Sequence, residues 1–310
     1  MSRHGLSKLA RIRAILAGEQ PDRAAFMVWH PLGLAHMPGE SLAAAGLAFA
    51  AAYQVDILRL ASQDAFPFPA QLSLDRPHDL TRIDEVSGQS KAWLPRLVAF
   101  QEIRRLAGKK LFACESIPNP WSVLRRQGAL ELARKTGREH PSYLAHALEA
   151  LTASLCNYTR AVIEAGATAV AFEIEGPGHD LMTPEEYGEL GLPYDQRLLE
   201  AASGAEFRIL QVRGSRLYLE PFMGLPAEFL QWSMANGPSL EKVAHQWPGK
   251  IMGGLDETRL ASMSYLELQR HVGDVVHSPV HVVAPGDALP ATIAPRQLEA
   301  IRDYIIRVWV

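Results

Sequence analysis

Short apolar runs alternate with helical segments along the chain, and residues 158–187 show this pattern most clearly. Apolar residues recur there at helical spacing up to Gly166, which stands where a helix would end. From Thr168 to Glu175 the period changes to two, and the large apolar side chains occupy only one face. The other face changes from small residues to Glu173 and Glu175. This pattern is typical of a parallel barrel strand whose outer face is covered by helices and whose last inward residues line a pocket.

Seven further runs have the character of strands, and helical segments separate them. The predicted strands are 24–29, 56–62, 110–116, 168–175, 207–212, 229–234, 250–256 and 280–286. After a first helix ended by Gly18, helices are predicted at 41–53, 93–107, 120–135, 141–165, 215–224, 238–246, 258–276 and 295–307. Right-handed crossovers favour an α/β fold, the TIM (β/α)8 barrel, although an open doubly wound sheet has the same local pattern. We expect residues 1–310 to form a single domain, with 63–92 as a candidate lid or insertion.

Polar residues stand at or just beyond the carboxyl ends of the predicted strands. They are His30, Asp64, Glu115, Glu173, Glu175, Gln211, Arg213, Asp256 and Asp287. In a TIM barrel these ends form the catalytic face, so this placement favours the barrel over the open sheet.

Composition restricts the class of protein further. A chain of 310 residues with 48% hydrophobic content can bury a large core. Its net charge of −3 comes without a basic tract, so no nucleic-acid partner is predicted. Cys114 and Cys156 fall within predicted elements and fit buried thiols in a reducing compartment. No apolar run reaches the length of about 18 residues that a membrane span needs, and we therefore expect a cytoplasmic protein.

Several phrases, taken in order, resemble the uroporphyrinogen decarboxylase superfamily, which also contains zinc-dependent, cobalamin-linked methyltransferases. They are KLARIRAILAGEQPDRAAFMVW, NPWSVL at 119–124, YTRAVIEAGATAV followed by LMTPEEYGELGLPY at 181–194, GGLDET at 253–258 and APGDALPATIAPRQLEAI at 284–301. The resemblance spans nearly the whole chain. It implies a TIM barrel that commonly forms homodimers.

The resemblance to the methyltransferase branch breaks down at the metal ligands. In that branch a His-x-Cys pair after the fifth strand and a later cysteine near the eighth hold zinc, which activates a thiol. Here those positions are Gln211-Val212-Arg213 and Asp287. Zinc bound in that manner is therefore not expected, nor is thiol methylation by that mechanism.

The resemblance to the decarboxylase branch is also incomplete. Its arginine-rich phrase after the first strand is replaced by HPLGLAH at 30–36, its tyrosine corresponds to about Gln127, and its late histidine corresponds to Asp287. Its essential aspartate has a counterpart, displaced by one residue, in Asp64. Decarboxylation of uroporphyrinogen is therefore in doubt, whereas decarboxylation of a smaller acid remains consistent with the sequence.

Three residues are the predicted catalytic groups. Arg213 can bind a carboxylate or phosphate bidentately, although a salt bridge to Glu173, Glu175 or Asp287 is an equal alternative. Asp64 can act as an acid or stabilise a developing charge, and it can equally serve as a helix cap or loop acid. Glu173 and Glu175 share one face, and two adjacent carboxylates raise each other's pKa, so Glu173 is the candidate general acid.

Substrate contacts are predicted for His30, His36, Trp121, Glu175, His179, Gln211, Asp256 and Asp287. No cofactor is predicted. If a metal is bound, His30, Glu173 and His179 are the candidate ligands, although nothing in their spacing demands a metal and loop histidines are commonly hydrogen-bonded or solvated.

These residues lead to two main hypotheses for the function. The first is a cofactor-independent lyase that removes carboxylate from a small polar or cyclic acid. In it, Arg213 binds an anionic group, Asp64 stabilises charge and Glu173 transfers the proton. The second is methyl transfer or demethylation that involves a corrinoid or partner protein and uses a non-thiolate metal site or none. A glycoside hydrolase and a non-catalytic binding module are more distant alternatives.

Overall fold

The computed structural model of the protein describes residues 5–29, 37–60, 66–176, 178–290 and 292–307. All eight predicted strands are present: β1 Ala25–Phe26, β2 Ile57–Leu60, β3 Phe112–Pro118, β4 Ala169–Glu175, β5 Phe207–Arg213, β6 Phe229–Trp232, β7 Lys250–Leu255 and β8 Val282–Pro285. They form one parallel sheet in the order β1-β8-β7-β6-β5-β4-β3-β2. The sheet curves into a nearly closed barrel surrounded by helices, which confirms the predicted TIM barrel.

The two end strands of this order, β1 and β2, meet at Asp56. Its backbone N–H donates to the carbonyl oxygen of Phe26 at 2.8 Å, and its carboxylate accepts the N–H of Phe26, also at 2.8 Å. Arg11 and Arg23 donate to the same carboxylate at 2.5 and 2.9 Å. Because Asp56 is completely buried, this group, called here the seam cluster, joins the barrel edges through a fully paired internal charge.

Helices surround the barrel, and the first of them packs against the amino-terminal end of its interior. They are α1 Lys8–Ala17, α2 Gly39–Tyr53, α3 Leu94–Ala107, α4 Pro120–Arg126, α5 Leu130–Glu139, α6 Pro141–Ala165, α7 Pro184–Leu190, α8 Leu192–Ala201, α9 Leu240–Ala244, α10 Tyr265–Val276 and α11 Pro295–Arg307. None of these described helices combines the length and apolar character needed to cross a membrane.

Three predicted helices differ from the observed ones. The helix predicted at 258–276 begins only at Tyr265, where Ser264 caps it, and a separate 3-10 turn forms at Leu260–Ser262. The helix predicted at 120–135 is divided into α4 and α5, because Gly128 adopts a φ of 71° that a continuing helix does not allow. The helix predicted at 215–224 is wrong, since only a short 3-10 turn forms, at Glu220–Phe222. Gly214 and Arg216, with φ values of 132° and 50°, direct this segment away from helical geometry.

The alternation predicted for β4 separates two hydrophobic clusters. Its outward side chains Val170, Phe172 and Ile174 pack in the cluster beneath the helices, whereas Ala169 and Ala171 belong to a second cluster inside the barrel. Aromatic rings from β3, β5 and β6 and apolar side chains of α1 fill the amino-terminal part of this inner cluster. The interior becomes polar only towards the carboxyl ends of the strands, where the chemistry of a TIM barrel is located.

The described part of the candidate lid packs on the outside of the barrel. Leu80 and Ile83 are buried, and the backbone N–H of Val86 donates to the hydroxyl of Ser154 on α6 at 2.8 Å. A Cβ added to Gly88 would lie 2.4 Å from the carbonyl oxygen of Asn157, so only glycine fits this close approach. These contacts attach residues 77–90 to α6.

Candidate active site

Four arginines and three acids meet at the carboxyl end of the barrel. This mouth cluster consists of Arg59, Arg125, Arg126, Glu173, Glu175, Arg213 and Asp287. The strands β2, β4 and β5 each supply inward residues, α4 supplies the adjacent arginine pair, and Asp287 follows β8. The period of two in the strands explains the convergence, because alternate side chains of parallel barrel strands point into the same interior.

Arg59 forms the floor of the mouth cluster. Its side chain is completely buried, and its guanidinium carbon lies 4.2 Å from the ring centroid of Trp29. It donates hydrogen bonds to Ser116 at 2.8 Å, Gln211 at 2.6 Å, Glu173 at 3.0 Å and Gln231 at 3.1 Å. A buried charge with this many partners fixes the arrangement of the layer around it.

Glu173 is held as a carboxylate by three arginines. Its Oε1 accepts from Arg59, and its Oε2 lies 2.5 Å from Arg126 Nη2 and 3.6 Å from Arg213 Nη1. Burial alone would raise the pKa of Glu173, but Arg126, Arg59 and Arg213 together outweigh burial and lower that pKa to about 2. The raised pKa expected for Glu173 is therefore wrong, and an ionised Glu173 is not a proton donor near neutral pH.

The ionisation of Glu173 leads to a prediction about acid stability. Its pKa is about 2 in the folded chain and 4.5 in the reference state, a difference worth about 3 kcal/mol. This stabilisation is present above the unfolded pKa and is lost as the pH falls through the folded pKa. We expect Glu173→Gln to be less stable than wild type by about that amount at neutral pH, with the gap narrowing in acid. Urea denaturation across pH measures it, and a gap that does not change with pH would contradict the assignment.

Arg213 connects Glu175 with Asp287 across the mouth. Its Nε and Nη2 donate to the two carboxylate oxygens of Asp287 at 3.0 and 2.8 Å, and its Nη1 lies 3.2 Å from Glu175 Oε1. Arg126 Nη2 reaches the same Glu175 oxygen at 2.8 Å. The structure therefore contains the salt bridges considered as the alternative role of Arg213. The side chains of Arg126 and Arg213 nevertheless remain 28% and 25% exposed, so both guanidinium groups can be approached from solvent.

The residues at the implied zinc positions do not fit a zinc ion. Gln211 accepts from Arg59 through Oε1 and donates through Nε2 to the carbonyl oxygen of Gly286 at 2.7 Å. Arg213 places a permanent positive charge where that branch has a cysteine, and it occupies both oxygens of Asp287. A cation would have to displace this guanidinium and would find no thiolate among these residues.

Two predicted polar or aromatic positions point away from the mouth. Trp121 is fully buried, and its indole N–H donates to the carbonyl oxygen of Leu190 at 2.8 Å, so it joins α4 to α7. Glu115 lies on the outward face of β3, where Arg96 and Tyr158 bind its carboxylate at 2.5 and 2.9 Å. The strand continues to Pro118, and alternation therefore turns Glu115 outward.

His179 and Asp256 lie at strand ends but take other partners. The ring of His179 is exposed and contacts Tyr218 edge-on, with the centroids 5.1 Å apart. The carboxylate of Asp256 accepts the backbone N–H and hydroxyl of Thr258 at 3.1 and 2.5 Å, which forms a local turn, and its own N–H donates to His271. No hydrogen bond or ion pair found among the described residues joins either one to the mouth cluster.

Three predicted site residues, His30, His36 and Asp64, lie outside the described residues, and their roles stay predictions. Within the described ranges, no group of three or more histidine, cysteine or acidic side chains is arranged to hold a metal ion. Glu173, the described acid of the candidate metal set, has both oxygens engaged by arginines.

Arg59, Arg126 and Gln231 were not among the predicted site residues. Arg59 was detectable, because in the segment DILRLAS it alternates with Leu58 and Leu60 and must face the interior if they face the helices. Gln231 alternates in the same way on β6. Arg126 had no such signal, since it ends a short helix and not a strand.

A nearly closed parallel barrel with a charged, partly exposed cluster at its carboxyl end defines a TIM-barrel protein with the layout of an enzyme. The chain belongs to the uroporphyrinogen decarboxylase family, whose sequence profile matches residues 116–308. No curated protein matches it.

Two solved structures show how far the fold is shared. A methyltransferase from Methanosarcina mazei is 16% identical, covers 98% of this chain and 100% of its own, and superimposes with a TM-score of 0.81. A B12-independent methionine synthase from Shewanella sp. W3-18-1 is 12% identical, covers 92% of this chain and 96% of its own, and gives a TM-score of 0.57. At these identities the similarity establishes the fold and not the reaction.

Proposed function

We propose that the protein is a carboxy-lyase that binds a small polar or cyclic acid at the barrel mouth and removes one carboxylate without a cofactor. One observation carries the proposal: the partly exposed Arg126 and Arg213 approach the same carboxylate oxygen, on Glu175, from two sides. Two guanidinium groups that converge on one oxygen form a ready-made site for a carboxylate.

Charge at the rim supports anion binding. Within the mouth cluster, Arg125, Arg126 and Arg213 bring three positive charges to the rim, against the two negative charges of Glu175 and Asp287. Glu173 lies deeper and is also neutralised by Arg59 from below. A substrate carboxylate would therefore neutralise the net positive charge of the rim. It would compete with Glu175 for Arg126 and Arg213.

The lyase reaction needs two different environments for two parts of the substrate. In decarboxylation the bond to the leaving carboxylate breaks, its electron pair stays on the substrate carbon, CO2 departs, and that carbon takes up one proton. A carboxylate held by Arg126 and Arg213 is stabilised as an anion, so these residues suit the part of the substrate that remains bound. The ionised Glu173 suits a substrate that already carries a cationic group next to the reacting carbon, where that group takes up the electron pair as the bond breaks, and it does not suit donation of the proton.

Glu173, predicted from the sequence to transfer the proton, is ionised, so the proposal moves this step to Asp64, which the sequence predicts as an acid or a charge stabiliser. We expect Asp64→Ala to lower turnover by orders of magnitude. An unchanged rate would remove Asp64 from the mechanism.

Release of CO2 from a panel of small di- and tricarboxylic acids, cyclic ones included, tests the reaction directly. Isotopically labelled carboxyl groups allow the CO2 to be traced. The proposal predicts catalysed release from at least one member with retention of the other carboxylates. Binding of these acids without any release of CO2 would overturn the lyase assignment.

Glu175 provides a test of the binding step, because it occupies the position assigned to a substrate carboxylate. We expect Glu175→Gln to bind carboxylates about three- to tenfold more tightly than wild type, since the competing charge is gone. Glu206→Gln is the matched control: it makes the same change in net charge, and Glu206 precedes β5 at the opposite end of the barrel, where it pairs with Arg13. Titration calorimetry with citrate measures both variants. If both variants gained affinity for citrate equally, the gain would come from the change in net charge alone.

Methyl transfer is the second candidate, and the near-complete superposition on the Methanosarcina mazei methyltransferase favours it. On this hypothesis a corrinoid or partner protein delivers the methyl group, and any metal is held without thiolates. Metal analysis of the purified protein separates the two hypotheses. A tightly held stoichiometric transition metal would reject the metal-free lyase and favour methyl transfer.

A further inference from the structure

A buried polar network lies directly behind the mouth cluster. It consists of Asn119, Ser122, Tyr187 and Asp195, which are at most 1% exposed. Asn119 caps α4, Ser122 lies in its first turn, Tyr187 is on α7 and Asp195 is on α8. Four polar side chains without access to water must satisfy one another, so their geometry is strongly constrained.

One half of the network attaches α4 to the end of β4. The hydroxyl of Ser122 accepts the N–H of Glu175 at 2.8 Å and donates to the carbonyl oxygen of Glu173, also at 2.8 Å. The N–H of Asn119 donates to the same carbonyl oxygen at 3.0 Å, and its side-chain oxygen accepts the N–H of Ser122 at 2.8 Å. These bonds fix the start of α4 against the end of β4. Arg126, the last residue of α4, binds Glu173 and Glu175 on that same strand end.

The other half of the network fixes Asn119. Its side-chain amide donates to Asp195 Oδ1 at 2.8 Å and to the hydroxyl of Tyr187 at 3.0 Å. The hydroxyl of Tyr187 in turn donates to Asp195 Oδ2 at 2.5 Å. Burial raises the pKa of Tyr187 well above its usual value, so this hydroxyl keeps its proton and remains a donor. Asp195 and Tyr187 thus set the orientation of the Asn119 amide.

We propose that Tyr187 and Asp195 are positioning residues for anion binding, because through Asn119 and Ser122 they hold α4 in the register that brings Arg126 to Glu173 and Glu175. The assignment of Arg126 to substrate rests on the proposed function, whereas the mechanical coupling from Tyr187 to α4 does not. Each link in this coupling is a hydrogen bond between buried groups. Water cannot replace a lost hydroxyl there, so its removal is expected to displace the neighbouring side chains and, through them, α4.

Tyr187→Phe tests the coupling, because it removes one hydroxyl and leaves the buried ring in place. Tyr158→Phe is the matched control: Tyr158 is 4% exposed, and its hydroxyl donates to another buried carboxylate, on Glu115, outside this network. Each variant loses the buried hydrogen bonds of one hydroxyl, with Asn119 and Asp195 for Tyr187 and with Glu115 and Arg96 for Tyr158, and their melting temperatures measure the resulting loss of stability. Amide exchange and the affinity for citrate are then compared at matched distance below each melting temperature.

We expect Tyr187→Phe to weaken citrate binding about tenfold and to accelerate amide exchange at 122–126 and 173–175, with neither change in Tyr158→Phe. Similar amide exchange rates at 122–126 and 173–175 in Tyr187→Phe and Tyr158→Phe would overturn the coupling. Asp195→Asn is the second variant, since it keeps the side-chain shape but places an amide N–H against a donor; unchanged exchange in it would also count against the proposal. If wild type binds neither citrate nor any other acid of the panel, the assignment of the arginines to substrate fails, while the exchange data still decide the coupling.

Discussion

Replacing Asp56 by alanine is expected to lower the free energy of unfolding by about 3–5 kcal/mol. Asp56 is completely buried and accepts from Arg11, Arg23 and the backbone of Phe26. Its removal leaves two cations and one N–H near the barrel seam without their common acceptor. Asp22 still accepts from Arg11, but removal of one partner of a buried ion pair is strongly destabilising. Urea denaturation, with the slope of unfolding free energy against urea checked for change, measures the effect.

Asp22→Ala is the control for the seam cluster. Asp22 accepts from the same Arg11 at 2.8 Å, but its side chain is 26% exposed, so water can replace it. We expect a loss of about 1 kcal/mol or less from this variant. Losses of equal size in the two variants would show that the seam is not stabilised through the buried carboxylate.

Replacing Arg213 by alanine is expected to lower kcat/KM for CO2 release by about a hundred- to a thousandfold. The guanidinium is one of the two that converge on the carboxylate site, and its loss leaves Asp287 without that bidentate partner. The rim part of the mouth cluster then has as many negative as positive charges, so it no longer favours an incoming anion. Steady-state kinetics on an acid identified in the CO2 assay provides the measurement.

Arg208→Ala is the matched control, because Arg208 lies on the same strand and also forms an ion pair, with Glu228 at 2.6 Å. It precedes Arg213 by five residues and takes no part in the mouth cluster. We expect its kcat/KM to stay within about threefold of wild type. A comparable loss in both variants would assign the effect of Arg213 to the stability of β5 and not to substrate binding.

The barrel was predictable because its strands carry a strong local signal. In β4 the apolar and polar faces alternate without interruption, and the observed bounds, Ala169–Glu175, differ from the predicted ones by one residue. The segment 215–224 had an apolar pattern but also Gly214 and Pro221, and backbone geometry there overrides the pattern. Local periodicity therefore located elements well where no special backbone conformation intervened.

The composition of the site was partly predictable, but its ionisation was not. Glu173, Glu175, Gln211, Arg213 and Asp287 were expected at the mouth and are found together there. The pKa of Glu173 depends on Arg126 and Arg59, which lie 47 and 114 residues away in the sequence and approach it only after folding. Strand alternation shows that an acid faces inward, but it does not show which cations it meets.

The seam cluster also has a consequence for how the chain folds during synthesis. The ladder partner of β1 is β8, whose residues emerge from the ribosome more than two hundred positions later, as the pairing of Ala25 with Val282 shows. All members of the seam cluster, in contrast, lie within the first 56 residues. We therefore expect the nascent amino-terminal segment to hold its first strand beside the second through these charges, so that the last strand completes an edge already in place.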